Sequence, residues 1–230
     1  MFLSKLEWAV LIIVFLVVVL GHVFFLIDVK LFEQFTYEDG IIEYLTLLGL
    51  LGGIYLSLHR IIKLWKYKNW RFLLINALLA LFLFFVAGEE ISWGQRIFSV
   101  ETPEFFQKNN AQNETNLHNL VVGGVKINKL IFTYMLIAGL GAYLLILPYL
   151  HSKNIRFRNW IDSNGIVVPQ RFHIVSFLLL FLLTSLIGNS KNAELLECGA
   201  TSIFFLIIYN PKNLYIFEPG NSKYKLSKAD

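Results

Sequence analysis

The sequence predicts an all-helical polytopic membrane protein: a bundle of six transmembrane helices with both termini inside. Three observations carry this. Hydrophobic residues make up 56% of the 230 and the mean hydropathy is +0.59, against roughly 45–50% apolar residues in soluble domains. Six apolar segments approach the length that a bilayer demands, about 20 residues with ~17 as the lower end. The basic residues cluster in alternate connections between those segments.

In order, the segments are residues 8–27, 41–58, 72–88, 130–150, 172–188 and 195–209. The first resembles a signal peptide in position only. No small-residue cleavage site follows it and it ends in Asp28, so it reads as a retained helix. The second carries Gly49 and Gly53, spaced so that two helix backbones can approach closely. Gly139 and Gly141 offer the same in the fourth. The sixth is short unless Glu194 and Glu197 lie in its first turns. Residues 1–210 form one transmembrane domain, in which 91–129 is an outer loop, partly helical. Thr102-Pro103-Glu104 is a helix-start signal within that loop, and Phe105 and Phe106 would anchor the helix at the interface. Residues 211–230 are short, polar and basic, and read as a flexible cytoplasmic tail.

Orientation follows from Lys and Arg. With the N-terminus inside, fourteen of the twenty basic residues fall inside, but only four of the sixteen acidic ones. The positive balance is thus explained by topology and calls for no nucleic-acid partner. Trp65, Trp70 and Trp160 fall at the inner boundary and Trp93 at the outer one, which are belt positions. Cys198 is the sole cysteine, which excludes an internal disulfide and a cysteine-based zinc cage.

The polar residues within the spans gather at the outer side. His22, Glu43, Glu89, Glu90, Glu194 and Glu197 come from four helices to one depth zone. Glu43, Glu194 and Glu197 start helices, where the dipole favours them. Glu89 and Glu90 end one, where it does not, so they need another partner. If the helix runs on, Glu89, Trp93 and Arg96 share a face at i, i+4 and i+7. An Arg96–Glu89 pair would hold Glu89 ionised and leave Glu90 to carry a proton, which is an acid/base division of labour. The same residues also read as a plain ion-pair lock. On a helix, Glu114 and His118 would stand at i, i+4 and could share a divalent metal or a proton. His59, His151 and His173 fall near the inner boundary as interfacial residues. Apart from Asn76, the inner halves of the spans are nearly bare of polar groups.

Gly88-Glu89-Glu90-Ile91-Ser92-Trp93-Gly94-Gln95-Arg96 and Asn116-Leu117-His118-Asn119-Leu120 resemble a segment of bacterial multi-pass membrane proteins, a resemblance that implies a bacterial inner membrane and does not by itself assign a function. Glu89-Glu90 followed by Arg96 is more loosely similar to the Glu-Glu-x-x-x-Arg of the CAAX-type glutamate intramembrane proteases. The chain departs from them in having five residues before the arginine and no Phe-x-x-x-His or His-x-x-x-Asn on a later outward-facing helix. Cys198-Gly199 is faintly similar to the cysteine of exosortase-type enzymes, but no Arg or His follows it.

Three functions are therefore expected in turn. The first is a membrane-embedded hydrolase or transferase on a lipid-linked substrate, with Glu89, Glu90, Arg96 and His118 as its catalytic set and Glu114 and His118 as metal ligands. The second is an accessory subunit whose outer loop docks a membrane protein partner. The third is a proton-coupled transporter or flippase.

Overall fold

The computed structural model describes residues 3–37, 40–117, 119–122, 125–126 and 136–219. Helices dominate them. Four are long and apolar enough to cross a membrane: α1 (Lys5–Ile27), α3 (Ile41–Leu64), α4 (Trp70–Glu90) and α11 (Asn192–Tyr209). A fifth apolar helix, α10 (Arg171–Ser185), is shorter. Ile12, Leu16, Val19, Leu48, Leu81, Phe84 and Leu182 lie exposed on their surfaces. Apolar faces of that extent are at home in lipid.

Polar caps set the helix ends. Ser4 and Glu7 form a capping box, which starts α1 three residues before the apolar run at residue 8. Asp28 is extended, at φ −159°. It ends α1 and its carboxylate accepts from the Lys30 N–H at 3.0 Å, opening the short α2 (Val29–Phe35). Asn69 accepts from the Phe72 N–H at 2.9 Å and starts α4. Glu194 and Glu197 do lie in the first turns of α11, which lengthens it.

The central element is α11. It packs against α3, α10 and α1, while α4 packs on α3. Glycine sets the closest approach. A β-carbon on Gly49 would stand 3.2 Å from the backbone of Thr201 and Ser202, so α3 and α11 nearly touch there. Gly52 faces the Phe205 ring, and Gly53 faces Leu83 of α4 and Ile208 of α11. Gly139 and Gly141 make no such approach: a β-carbon on either would meet nothing within 4 Å among the described residues. Around α11 the core is apolar, with Leu180, Leu195, Ile203, Leu206, Ile207 and Ile208 buried.

The fourth predicted span is described from Leu136 onward, as α7 (Leu136–Gly141), a π-helical stretch (Ala142–Ile146) and α8 (Leu147–Lys153). Pro148 explains the wide turn. Its ring would clash with the carbonyl four residues back, and the π-turn, in which the Leu147 N–H reaches Ala142, moves that carbonyl aside. An amphipathic helix that the apolar segments do not announce, α9 (Ile155–Ser163), follows.

In the long connection lie α5 (Gln95–Phe98), α6 (Glu104–Asn109) and a minimal hairpin, β1 (Val121–Val122) with β2 (Val125–Lys126), paired Val121 to Lys126. The start of the expected tail is packed. Residues 214–217 form a 3₁₀ turn (Leu214–Phe217), and Asn213, Ile216 and Phe217 are buried. Phe217 slots under the Arg60 guanidinium, 3.6 Å from its ring centre, and against Phe72 edge-to-face. A loose tail at 211–219 is thereby corrected; residues 220–230 lie outside the described residues.

Candidate functional site

At one end of the bundle, here the acidic end, Glu43 opens α3, Glu89 and Glu90 close α4 and Glu194 opens α11. The opposite, basic end holds Arg60, Lys63, Arg71 and Arg171.

α4 stops at Glu90 because Ser92, Trp93 and Gly94 all take left-handed backbone, with φ of 46°, 55° and 76°. Such a conformation costs a non-glycine residue about 1–3 kcal/mol and needs support around it. Trp93 supplies some. Its ring turns back over Gly88, where a β-carbon would come within 2.8 Å of it, and packs edge-on against Phe84 and Phe85. Its Nε1–H donates to Glu89 Oε1 at 2.8 Å, and the Leu117 backbone N–H donates to Glu89 Oε2 at 2.6 Å. Glu89 is thus buried and fastens the long connection to the end of α4.

The connection is held by a second set of polar contacts. Ser92 Oγ donates to Glu114 Oε2 at 2.5 Å, and Asn116 Nδ2 donates to both at 2.9 Å. Asn110 Nδ2 donates to the Asn116 carbonyl and side chain, and Asn110 Oδ1 accepts from the Gln112 and Glu114 N–H groups. Gln95 accepts from the Thr115 N–H at 2.6 Å and donates to Thr102 Oγ1, which donates to the Asn113 carbonyl. Residues 92–117 thereby form a folded cover, as a connection of this length requires.

Two sequence expectations need correction. Glu89, Trp93 and Arg96 do not share a helix face, because the left-handed turn interrupts the helix between them. Glu114 stands in a chain of turns, not on a helix, and its carboxylate is engaged by Ser92 and Asn116. His118 and the Arg96 side chain lie outside the described residues, and with them the expected Arg96–Glu89 pair and the Glu114–His118 metal pair. Among the described residues, no group of three His, Cys, Asp or Glu side chains is arranged to hold a metal ion.

Glu90 differs from its neighbour. Among the described residues it makes no hydrogen bond, while the carboxylates of Glu43, Glu89, Glu194 and Glu197 lie within electrostatic reach of it. They come from α3, α4 and α11, the tightly packed trio. Lys191 approaches Glu194 at 3.8 Å. Cys198 is buried beside Glu90 and Thr46. His22 uses Nδ1 on the Val18 carbonyl of its own helix, at 2.9 Å.

The basic end holds polar groups that the sequence reading passes over. His151 and His173 are buried, not interfacial. His173 Nδ1 accepts from the Gln170 N–H, and His173 lies near Glu7, which accepts from Asn210 Nδ2 at 2.7 Å. Arg60 Nη2 donates to the Ile208 carbonyl. His151 Nε2 meets Asp162 Oδ1 at 2.9 Å. Asn213 Nδ2 donates to the same oxygen at 2.8 Å, and Tyr215 donates to Oδ2. Burial alone would raise the Asp162 carboxyl. The hydrogen bonds from His151, Tyr215 and Asn213, with the charge of His151, outweigh that and hold it below the ordinary aspartate range. Buried polar groups thus gather at and just beyond the inner ends of the spans. Asp162, the one acid in a run of basic residues, and the asparagines flanking Pro211 were the available signals.

No protein-family model, curated protein or solved structure matches the chain.

Proposed function

We propose that this is a six-span protein of a bacterial inner membrane, with both termini cytoplasmic, and that the acidic end is an outward-facing acid/base site. The reaction would be hydrolysis or group transfer on a lipid-linked substrate. One observation carries this reading: Glu89 is spent on holding the cover, whereas Glu90 beside it accepts no hydrogen bond among the described residues and sits amid carboxylates from three helices. A carboxyl so placed is a candidate general acid or base. Four neighbouring carboxylates repel an anion, so a phosphate would bind away from Glu90. Arg96 would hold it, with His118 as a second base or a metal ligand, leaving a neutral hydroxyl or ester at Glu90. Topology is supported by the split of basic residues and by Trp65, Trp70, Trp93 and Trp160, all exposed at helix ends.

The test compares proteoliposomes of wild type and Glu90→Gln incubated with a lipid extract containing polyprenyl-phosphate-linked sugars. Mass spectrometry should find a species consumed by wild type and untouched by the variant, with both equally folded. Conversion by neither, or by both, removes the enzyme reading.

One observation favours docking of a partner instead. Ile97, Phe98, Val100, Phe105 and Leu117 of the cover are each exposed. Co-purification of a membrane partner that Phe98→Ser releases would establish that role. Transport has the weakest support: polar groups occupy both ends, but the described core between them is apolar.

A further inference from the structure

At the basic end a pocket of about 360 Å³ is lined by His151, Ser152, Arg158, Lys212 and Tyr215. Among the described residues its lining carries two cations and no carboxylate. Arg158 is held in place, with Nε on the His151 carbonyl at 2.8 Å and Nη2 on the Ser152 carbonyl at 3.0 Å. Those carbonyls close α8 and would otherwise lack donors. Lys212 Nζ donates to Ser152 Oγ. Lys212 is largely exposed; the partial desolvation of its ammonium, then Arg158 and Arg171 nearby, lowers it from its ordinary value.

The floor is built as well. His151 is 4% exposed, and its Nε2 is fixed by Asp162. Its other ring nitrogen, Nδ1, is buried and has no partner among the described residues. Asp162 keeps its charge and is engaged by His151, Asn213 and Tyr215; among the described residues it makes no ion pair with Arg158 or Lys212. The place also fits a lipid surface. The adjoining α9 exposes Trp160, with Phe157 packed beside it, and Ile155 alongside Arg156, a mixture of apolar and basic side chains that suits a lipid interface.

We propose that this pocket binds a phosphate group, that of an anionic lipid headgroup, gripped by Arg158 and Lys212 over the His151 ring, which Asp162 holds from behind. A fixed guanidinium and a mobile ammonium suit phosphate oxygens, and basic pockets between spans on the cytoplasmic side take such headgroups. The site is independent of the Glu90 reading and lies at the other end of the bundle.

The full-length protein in a neutral detergent would be melted with dioctanoyl phosphatidic acid, with dioctanoyl phosphatidylcholine and with inorganic phosphate. Phosphatidic acid should raise Tm and phosphatidylcholine should not. Lys212→Gln and Arg158→Gln should each weaken the apparent affinity roughly tenfold, while Lys66→Gln, at the same end but outside the pocket, should not. Lys212 is exposed, so its variant folds even if Arg158→Gln loosens α8. A shift with inorganic phosphate equal to that with the lipid assigns the site to free phosphate; a shift with the lipid alone assigns it to the headgroup. Equal shifts with the two lipids, no shift with phosphatidic acid or phosphate, or a Lys212→Gln protein that responds like wild type overturns the proposal.

Discussion

Glu89 and Glu90 are adjacent in sequence and opposite in circumstance. Glu89 is buried and satisfies an indole N–H and a backbone N–H; Glu90 faces other carboxylates. A glutamine at 89 keeps one acceptor and turns an amide toward the second donor. A buried donor left without an acceptor costs ~1–3 kcal/mol. Glu89→Gln should therefore lower Tm in detergent, and Glu90→Gln should leave it equal or higher, since it removes like-charge repulsion. Identical melts for wild type and Glu89→Gln would mean that the cover is not fastened there. Asp162 permits a prediction in pH. Its carboxyl is held below the ordinary range in the folded protein, so it stabilises the fold above the unfolded value, near ~3.9, and that contribution fades as pH falls through the lower folded value. Asp162→Asn should melt lower at pH 7 and show a smaller further loss than wild type on acidification below about pH 4. A variant whose melting tracks wild type at both pH values would refute the role of this carboxylate.

Among the elements, the contact of α3 with α11 carries the most demanding geometry. Gly49 lies against backbone, which cannot rotate away as a side chain can. Gly49→Val should destabilise by about 1–3 kcal/mol through overpacking. Gly139→Val, where a β-carbon meets nothing within 4 Å among the described residues, should cost far less. The comparison of the two melts tests whether α11 is the centre of the bundle. The left-handed turn at 92–94 matters in the same way. It ends α4 and turns the chain back, so that Trp93 and Leu117 both reach Glu89.

At the scale of the molecule, the fold separates an acidic end from a basic one, with an apolar core between them. A membrane potential and the translocation machinery both favour basic residues on the cytoplasmic side. Reporter fusions after Lys68, Asn110 and Asp162 should accordingly read inside, outside and inside. A reversed or mixed pattern would reject the six-span arrangement, and with it the outward placement of Glu90.

From the sequence alone come the helical membrane class, the positions of the apolar segments within a few residues at the helix ends that the structure describes, and the gathering of Glu43, Glu90, Glu194 and Glu197 at one end. Hydropathy, segment length and charge act along the chain, so they are legible without contacts. Tertiary structure decided the rest. The break after Glu90 depends on Trp93 finding Gly88 and Glu89, and the engagement of Glu114 depends on Ser92 and Asn116. The setting of His151 depends on Asp162, which Asn213 meets from 51 residues further on, and the packing of Phe217 depends on Arg60 and Phe72, from two helices far back in the chain. A polar residue's role is set by which donors and acceptors meet it in space. Periodicity places it at a depth in the bilayer but does not name those partners.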